Sequence, residues 1–101
     1  MEENMKTQII KWLEDRKEIG REFEYYVDNE WFIITFSLEV EDILLEEIAD
    51  AYKKVPAMIS YGSYGLWEYA RILVNLNHPQ LKPENLYELL SALESAEKKI
   101  N

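Results

Sequence analysis

Few residues of this chain are equipped to make or break bonds. Histidine occurs once, as His78 in Asn77-His78-Pro79. A lone imidazole in front of a proline reads as a loop residue and not as an acid–base catalyst. Ser63 lies in Gly62-Ser63-Tyr64-Gly65, which departs from the Gly-x-Ser-x-Gly elbow that exposes a nucleophile between strand and helix. Cysteine is absent, so disulfides, thiolate chemistry and zinc–thiolate sites are excluded. The three glycines, Gly20, Gly62 and Gly65, are too scattered to cradle a phosphate, and neither a Walker loop nor a dinucleotide-binding pattern is present. Glu39, Glu41, Asp42, Glu46, Glu47 and Asp50 carry oxygens suited to a hard cation. They lack the EF-hand order and its glycine, and Glu46 and Asp50 share one side of a helix in the manner of a solvated face. Paired carboxylates of the glycosidase kind are expected by chance among 20 acids. The expectation is a non-enzymatic chain with no catalytic residue, no metal ligand and no cofactor.

What the sequence does carry is a distinctive surface. The 101 residues include 20 acids and 11 bases, a formal net charge of −9. The excess is not spread evenly. From Glu22 to Tyr52 there are ten acids and no lysine or arginine, while the rest of the chain holds ten acids and eleven bases. An acidic domain repels nucleic-acid phosphates, so direct contact with DNA or RNA is not expected. The same field attracts basic proteins and speeds their encounter. Aromatic residues make up 13% of the chain, too many for a disordered acidic tail. Tyr26, Trp31, Tyr61, Tyr64 and Trp67 stand out as candidate contact residues, because tyrosine and tryptophan bury much area at small entropic cost. The predicted partner-binding set is Glu22, Glu24, Tyr26, Asp28, Glu30, Trp31 and Tyr64, folded into one negative patch studded with rings.

These residues must be positioned by a single domain over residues 1–101, since a chain of this size supports one modest core. Residues 5–19 read as an amphipathic helix through Ile9, Ile10, Trp12, Leu13, Arg16 and Ile19, with Asn4 or Thr7 as cap and Gly20 as stop. Residues 21–39 read as a β-hairpin turning at Asp28-Asn29. That turn pairs Tyr25 with Phe32 and Phe23 with Ile34. It places Phe23, Tyr25, Phe32, Ile34, Phe36 and Leu38 on the core face, and Glu22, Glu24, Tyr26, Trp31, Ile33, Thr35 and Ser37 on the other. Residues 41–55 form a second helix with acids at its start, Lys53-Lys54 at its end and Pro56 as stop. Residues 57–77 suit a second hairpin, with a turn within Tyr61–Gly65 and with Ala70, Ile72, Val74 and Leu76 on one face. They also suit a helix through Leu66, Ala70, Leu73 and Asn77. The hairpin completes a sheet, and one hairpin alone is marginal. Residues 83–100 form a closing helix, with Pro83 at its first position and Leu86, Leu89, Leu90, Leu93, Ala96 and Ile100 in period. The fold class is α+β, an antiparallel sheet of one or two hairpins with three helices, in the order α-β-β-α-(β-β)-α. No apolar run is long enough to span a membrane, and the start Met1-Glu2-Glu3-Asn4 lacks the apolar core of a secretory signal. A reducing cytoplasm is the expected compartment.

Three stretches carry a resemblance. Phe23-Glu24-Tyr25-Tyr26-Val27-Asp28 runs into Trp31-Phe32-Ile33-Ile34, then comes Ala70-Arg71-Ile72-Leu73-Val74-Asn75-Leu76, then the helix from Pro83-Glu84-Asn85-Leu86 to Ile100. In this order the chain resembles the type III secretion chaperone-like fold. The resemblance implies a small acidic binding module, often a homodimer, that holds a segment of a client and has no enzymatic activity. By size and charge the chain also resembles small acidic immunity proteins and anti-defence inhibitors, which implies neutralisation of a basic protein partner. Neutralisation is the leading expectation and the dimeric adaptor the alternative; neither involves a membrane or direct nucleic-acid binding.

Overall fold

The computed structural model describes residues 5–16 and 23–100. In chain order the elements are α1 (Met5–Glu14), β1 (Phe23–Asp28), β2 (Trp31–Ser37), a 3-10 turn (Leu38–Val40), α2 (Glu41–Tyr52), β3 (Ala57–Tyr64), β4 (Trp67–Asn75) and α3 (Pro83–Ile100). The class is α+β, as the pattern predicts. The second hairpin is real: residues 57–75 are two strands and not a helix. The four strands form one antiparallel sheet in the order β1-β2-β4-β3. The two hairpins therefore meet through their second strands, β2 and β4, which lie in the middle.

Periodicity of two decides which residues go inside. On the inner face Phe32 pairs with Val74, Ile34 with Ile72 and Phe36 with Ala70, all fully buried. The helices pack on this face and supply Ile9, Leu44, Ile48, Leu86, Leu89 and Leu93 to the same core. Each such side chain contributes roughly 1.5–3 kcal/mol by leaving water. Helices α2 and α3 run antiparallel, pinned at their surface by Lys54–Glu88 at 3.0 Å and Lys99–Glu47 at 2.7 Å. The carboxylate of Glu47 raises the pKa of Lys99 by accepting its hydrogen bond. Pro83 opens α3 as expected, and the carbonyl of Lys82 accepts from the Asn85 and Leu86 N–H groups.

Helix α1 docks through one polar–aromatic cluster. The Trp12 ring lies 4.9 Å from that of Tyr25 and edge-on to Phe32 at 6.2 Å. Trp12 Nε1–H donates to Glu94 Oε1 at 3.0 Å, and Tyr25 Oη–H donates to Glu97 Oε1 at 3.0 Å. Arg16 stacks over Trp12 and bridges to both Glu94 and Glu97 of α3. Burial, and then the neighbouring Glu97 carboxylate, push the Tyr25 hydroxyl well above the usual tyrosine range.

Both turns differ from the sequence expectation, for one reason. A two-residue hairpin loop needs a residue with positive φ at its first position. That residue is Asn29 (φ 56) in the first hairpin and Gly65 (φ 64) in the second. The first loop is therefore Asn29-Glu30, not Asp28-Asn29, and the second is Gly65-Leu66, at the end of the predicted Tyr61–Gly65 stretch, whose first four residues extend β3 instead. Tyr25 consequently pairs with Ile34, and Phe23 with Phe36. This register is two residues from the predicted one. An even shift keeps the same residues of each strand on one face, and Phe32, Ile34 and Phe36 lie in the core with Tyr25 and Leu38 packed against it, as predicted. Helix α2 ends at Tyr52, and α1 ends at Glu14. The predicted hairpin residue Arg21, the predicted helix residue Ile19, the predicted stop Gly20 and the alternative cap Asn4 lie outside the described residues.

Candidate interaction site on the uncovered sheet face

With the helices gathered on one side, no helix among the described residues covers the other face of the sheet. Strand register sets its rows. Glu24, Thr35, Arg71 and Ser60 run across the centre, and Tyr26, Ile33, Leu73 and Met58 form the adjacent row. On the other side of the centre lie Ser37, Tyr69 and Gly62, and beyond them Trp67 opposite Tyr64. The central-strand residues Ile33, Thr35 and Ser37 are buried on this face as well. Long side chains on β1 and β4 flank them and shed water over them. The rings themselves stay accessible: Tyr26 is 37%, Trp67 47% and Tyr64 83% exposed. Met58 is also exposed here, and Leu66 projects wholly into solvent from the turn beside Tyr64.

Glu24, Tyr26, Thr35, Tyr64, Trp67, Tyr69 and Arg71 line an open cavity of about 290 Å³. Trp67 and Tyr69 stack, with centroids 4.8 Å apart and planes 26° from parallel. Tyr69 reaches across to β3 and lies over Gly62. A Cβ at that position would stand 2.7 Å from Tyr69 Oη, so glycine is required there for space. Arg71 Nη2–H donates to Tyr69 Oη at 3.3 Å, and the guanidinium carbon is 5.2 Å from the Tyr69 ring centre.

The predicted contact residues separate into groups. Glu24, Tyr26 and Tyr64 do meet, in this cavity. Asp28 and Trp31 share the open face but face each other at its far end, four residues along β2 from Thr35, about 13 Å away. Glu30 sits in the turn. Glu22 lies outside the described residues. Tyr61 is on the opposite face, where the Glu41 carboxylate, accepting its hydrogen bond, raises its pKa. The expected single acidic patch is not formed. Glu41, Asp42, Glu46, Glu47 and Asp50 belong to α2, on the helix side of the sheet, while Glu24 and Asp28 point to the open side. The sequence reading missed Thr35, Tyr69 and Arg71 as members of the site. Their signal was the odd-numbered alternation Trp67, Tyr69, Arg71, Leu73 in β4, the complement of the core run Ala70, Ile72, Val74.

The residues that could do chemistry stay apart. The His78 Nδ1 accepts from the Gln80 N–H at 3.1 Å, a local turn contact. Ser63 is exposed on β3 opposite Glu68. Among the described residues no group of three His, Cys, Asp or Glu could hold a metal ion, and no helix is long and apolar enough to cross a membrane. Protein-family models, curated proteins and solved structures give no match to this chain.

Proposed function

We propose that this chain is a non-catalytic binding module that receives a basic protein on the open face of its sheet and thereby neutralises it. The observation that carries this reading is the cluster of accessible rings on that face: Tyr26, Tyr64 and Trp67 around one cavity, with Leu66 exposed in the turn between Tyr64 and Trp67. A β-sheet face left bare normally carries polar residues. Aromatic side chains kept there instead are the composition of an interface core. Glu24, Asp28 and Glu30 border this surface along β1 and its turn, and no lysine stands on either β1 or β2. A positively charged surface is therefore the complementary one.

Affinity capture from the native host at low and high salt, followed by association kinetics with the captured protein, tests the reading. The captured protein should be basic and should dissociate as salt rises. Tyr64→Ala together with Trp67→Ala should release it, and Glu24→Lys with Asp28→Lys should slow its association. A neutral or acidic partner, or one indifferent to the loss of both rings, sinks the proposal.

One observation favours a second reading, that of a dimeric adaptor. The sheet has two edge strands. β1 carries Glu24 and Asp28, and α1 packs beside it through Trp12 and Tyr25. β3 carries no charge and no proline over eight residues, Ala57–Tyr64. Natural edge strands are usually blunted by such residues. On a molecule of charge −9, this edge is a place where two copies meet without opposing carboxylates.

A further inference from the structure

We propose that the cavity on the open face seats one carboxylate, delivered by an acidic side chain of the bound protein to Arg71. This rests on the reading of the open face as the docking surface and names the chemistry that fixes the partner's register on it.

The two arginines of the described residues make the argument by contrast. Arg16 faces two carboxylates: it is bridged to Glu94 and Glu97 and stacked on Trp12, though its Nε lacks a hydrogen bond. Arg71 faces none among the described residues. It is half-buried at the centre of the cavity, and its one side-chain hydrogen bond is to the neutral Tyr69 hydroxyl. No carboxylate stands within ion-pair distance of it among the described residues. Arg71 Nε and the facing Thr35 Oγ1 are both shielded from solvent without a partner. A guanidinium has five donors and no acceptor. Leaving a charged donor unpaired in a sheltered place is costly, and a carboxylate meets it with two parallel bonds. The Tyr69 hydroxyl, which accepts from Arg71, keeps its own proton to donate to the same anion.

The surroundings narrow the ligand further. Glu24 lines the same cavity two strands away, about 10 Å from Arg71 backbone to backbone. Its charge disfavours a doubly charged phosphate more than a single carboxylate. The rings would suit a cation on their own, but Arg71 already places a positive charge among them. Trp67, Tyr69 and Tyr26 offer flat walls to whatever flanks the acid. The fitting ligand is thus a glutamate or aspartate between aromatic or other flat side chains, on a protein whose wider surface is basic.

Two capped peptides test this on the whole chain, acetyl-Tyr-Glu-Tyr-amide and acetyl-Tyr-Gln-Tyr-amide, followed by NMR through the Trp67 indole N–H and the Arg71 Nε–H. The glutamate peptide should shift both signals saturably and bind about tenfold more tightly than the glutamine peptide. Arg71→Gln should erase that difference, and the wild-type comparison stands even if this variant fails to fold. Equal binding of the two peptides, with Trp67 still responding, overturns the carboxylate seat and leaves the docking face intact. Tighter binding of inorganic phosphate than of the glutamate peptide overturns it as well. Silence of the Trp67 signal with every probe removes both the seat and the docking face.

Discussion

Gly62→Ala is a test of the site that needs no partner. Gly62 is a strand residue without positive φ, so alanine is conformationally permitted there. At an open strand position the change would stabilise the chain, by about 0.4–1 kcal/mol through the unfolded state. Here the new methyl group meets Tyr69 at 2.7 Å from Oη and 2.8 Å from Cζ, where ordinary contact begins at 3.4 Å. The ring must retreat by about 0.7 Å. Its bond from Arg71 is already 3.3 Å long and has little slack, so the retreat puts both that bond and the stack on Trp67 at risk. Losing a neutral-acceptor hydrogen bond costs about 1 kcal/mol and an aromatic pair about 0.5–1.5 kcal/mol. Set against the gain from replacing a strand glycine, the net effect is a destabilisation of about 1 kcal/mol. For a domain of this size that lowers Tm by about 4–8 °C. The sign is the diagnostic. Urea denaturation of wild type, Gly62→Ala, Tyr69→Ala and the double variant closes a thermodynamic cycle. In the Tyr69→Ala background the methyl group has nothing to meet, and Gly62→Ala should become stabilising. Near-UV circular dichroism of the Gly62→Ala single variant should report a loosened Trp67–Tyr69 stack, approaching the signal of Tyr69→Ala. A stabilising Gly62→Ala in the wild-type background would refute the reasoning, because it would mean that Tyr69 does not rest on Gly62 and that the cavity lacks its wall.

Two further outcomes follow from other parts of the fold. The native state holds the Tyr25 proton more tightly than the unfolded chain, whose tyrosine titrates near 10.0; the resulting stability is whole below that pH and is lost as pH rises above it. Wild type should therefore lose up to about 1.4 kcal/mol per pH unit above pH 10 that Tyr25→Phe does not lose, read as urea midpoints across that range, and equal alkaline slopes would contradict the buried Tyr25–Glu97 contact. Met58→Lys places a charge on the β3 edge at a position 58% exposed, so it should leave the helical circular dichroism unchanged while converting any dimer to monomer by sedimentation; a dimer that survives it does not pair through β3.

How far the sequence reveals this fold depends on what each residue's neighbours require of it. Phe32, Ile34, Phe36 and Ala70, Ile72, Val74 recur at every second position, with Thr35 and Arg71 between them, and burial of that face is enough to force strands. Leu86, Leu89, Leu90 and Leu93 with Pro83 at the start leave α3 no alternative. The turns were misplaced because Asp28 and Asn29 look interchangeable on paper, whereas the left-handed conformation falls on Asn29 alone. Gly62 looks like a turn glycine in Tyr61-Gly62-Ser63-Tyr64-Gly65, but its role is to make room for a ring from the next strand. No local pattern announces that. The candidate site was legible in Glu24, Tyr26 and Tyr64, and not in the residues that the pairing of the two hairpins adds. Glu24 and Tyr26 could be placed on an outer face from the first hairpin, but Arg71 and Tyr69 join them only because β2 pairs with β4, a long-range choice that neither hairpin encodes by itself.

The same topology changes what the net charge can do. Six of the ten acids in the base-free stretch belong to the 3-10 turn and α2, and the outward ones, Glu46 and Asp50, lie on the far side of a helix about 10 Å thick that itself rests on the sheet. Fields between exposed charges fade over roughly 8 Å at physiological salt. A partner approaching the open face therefore responds to Glu24, Asp28 and Glu30, and hardly to α2. Reversing Glu46 and Asp50 to lysine is then the matched control for reversing Glu24 and Asp28: the overall charge changes equally, yet only the β1 pair should slow association. If both pairs slow it alike at physiological salt, the partner is steered by the whole molecule and the open face has no privileged part in the encounter.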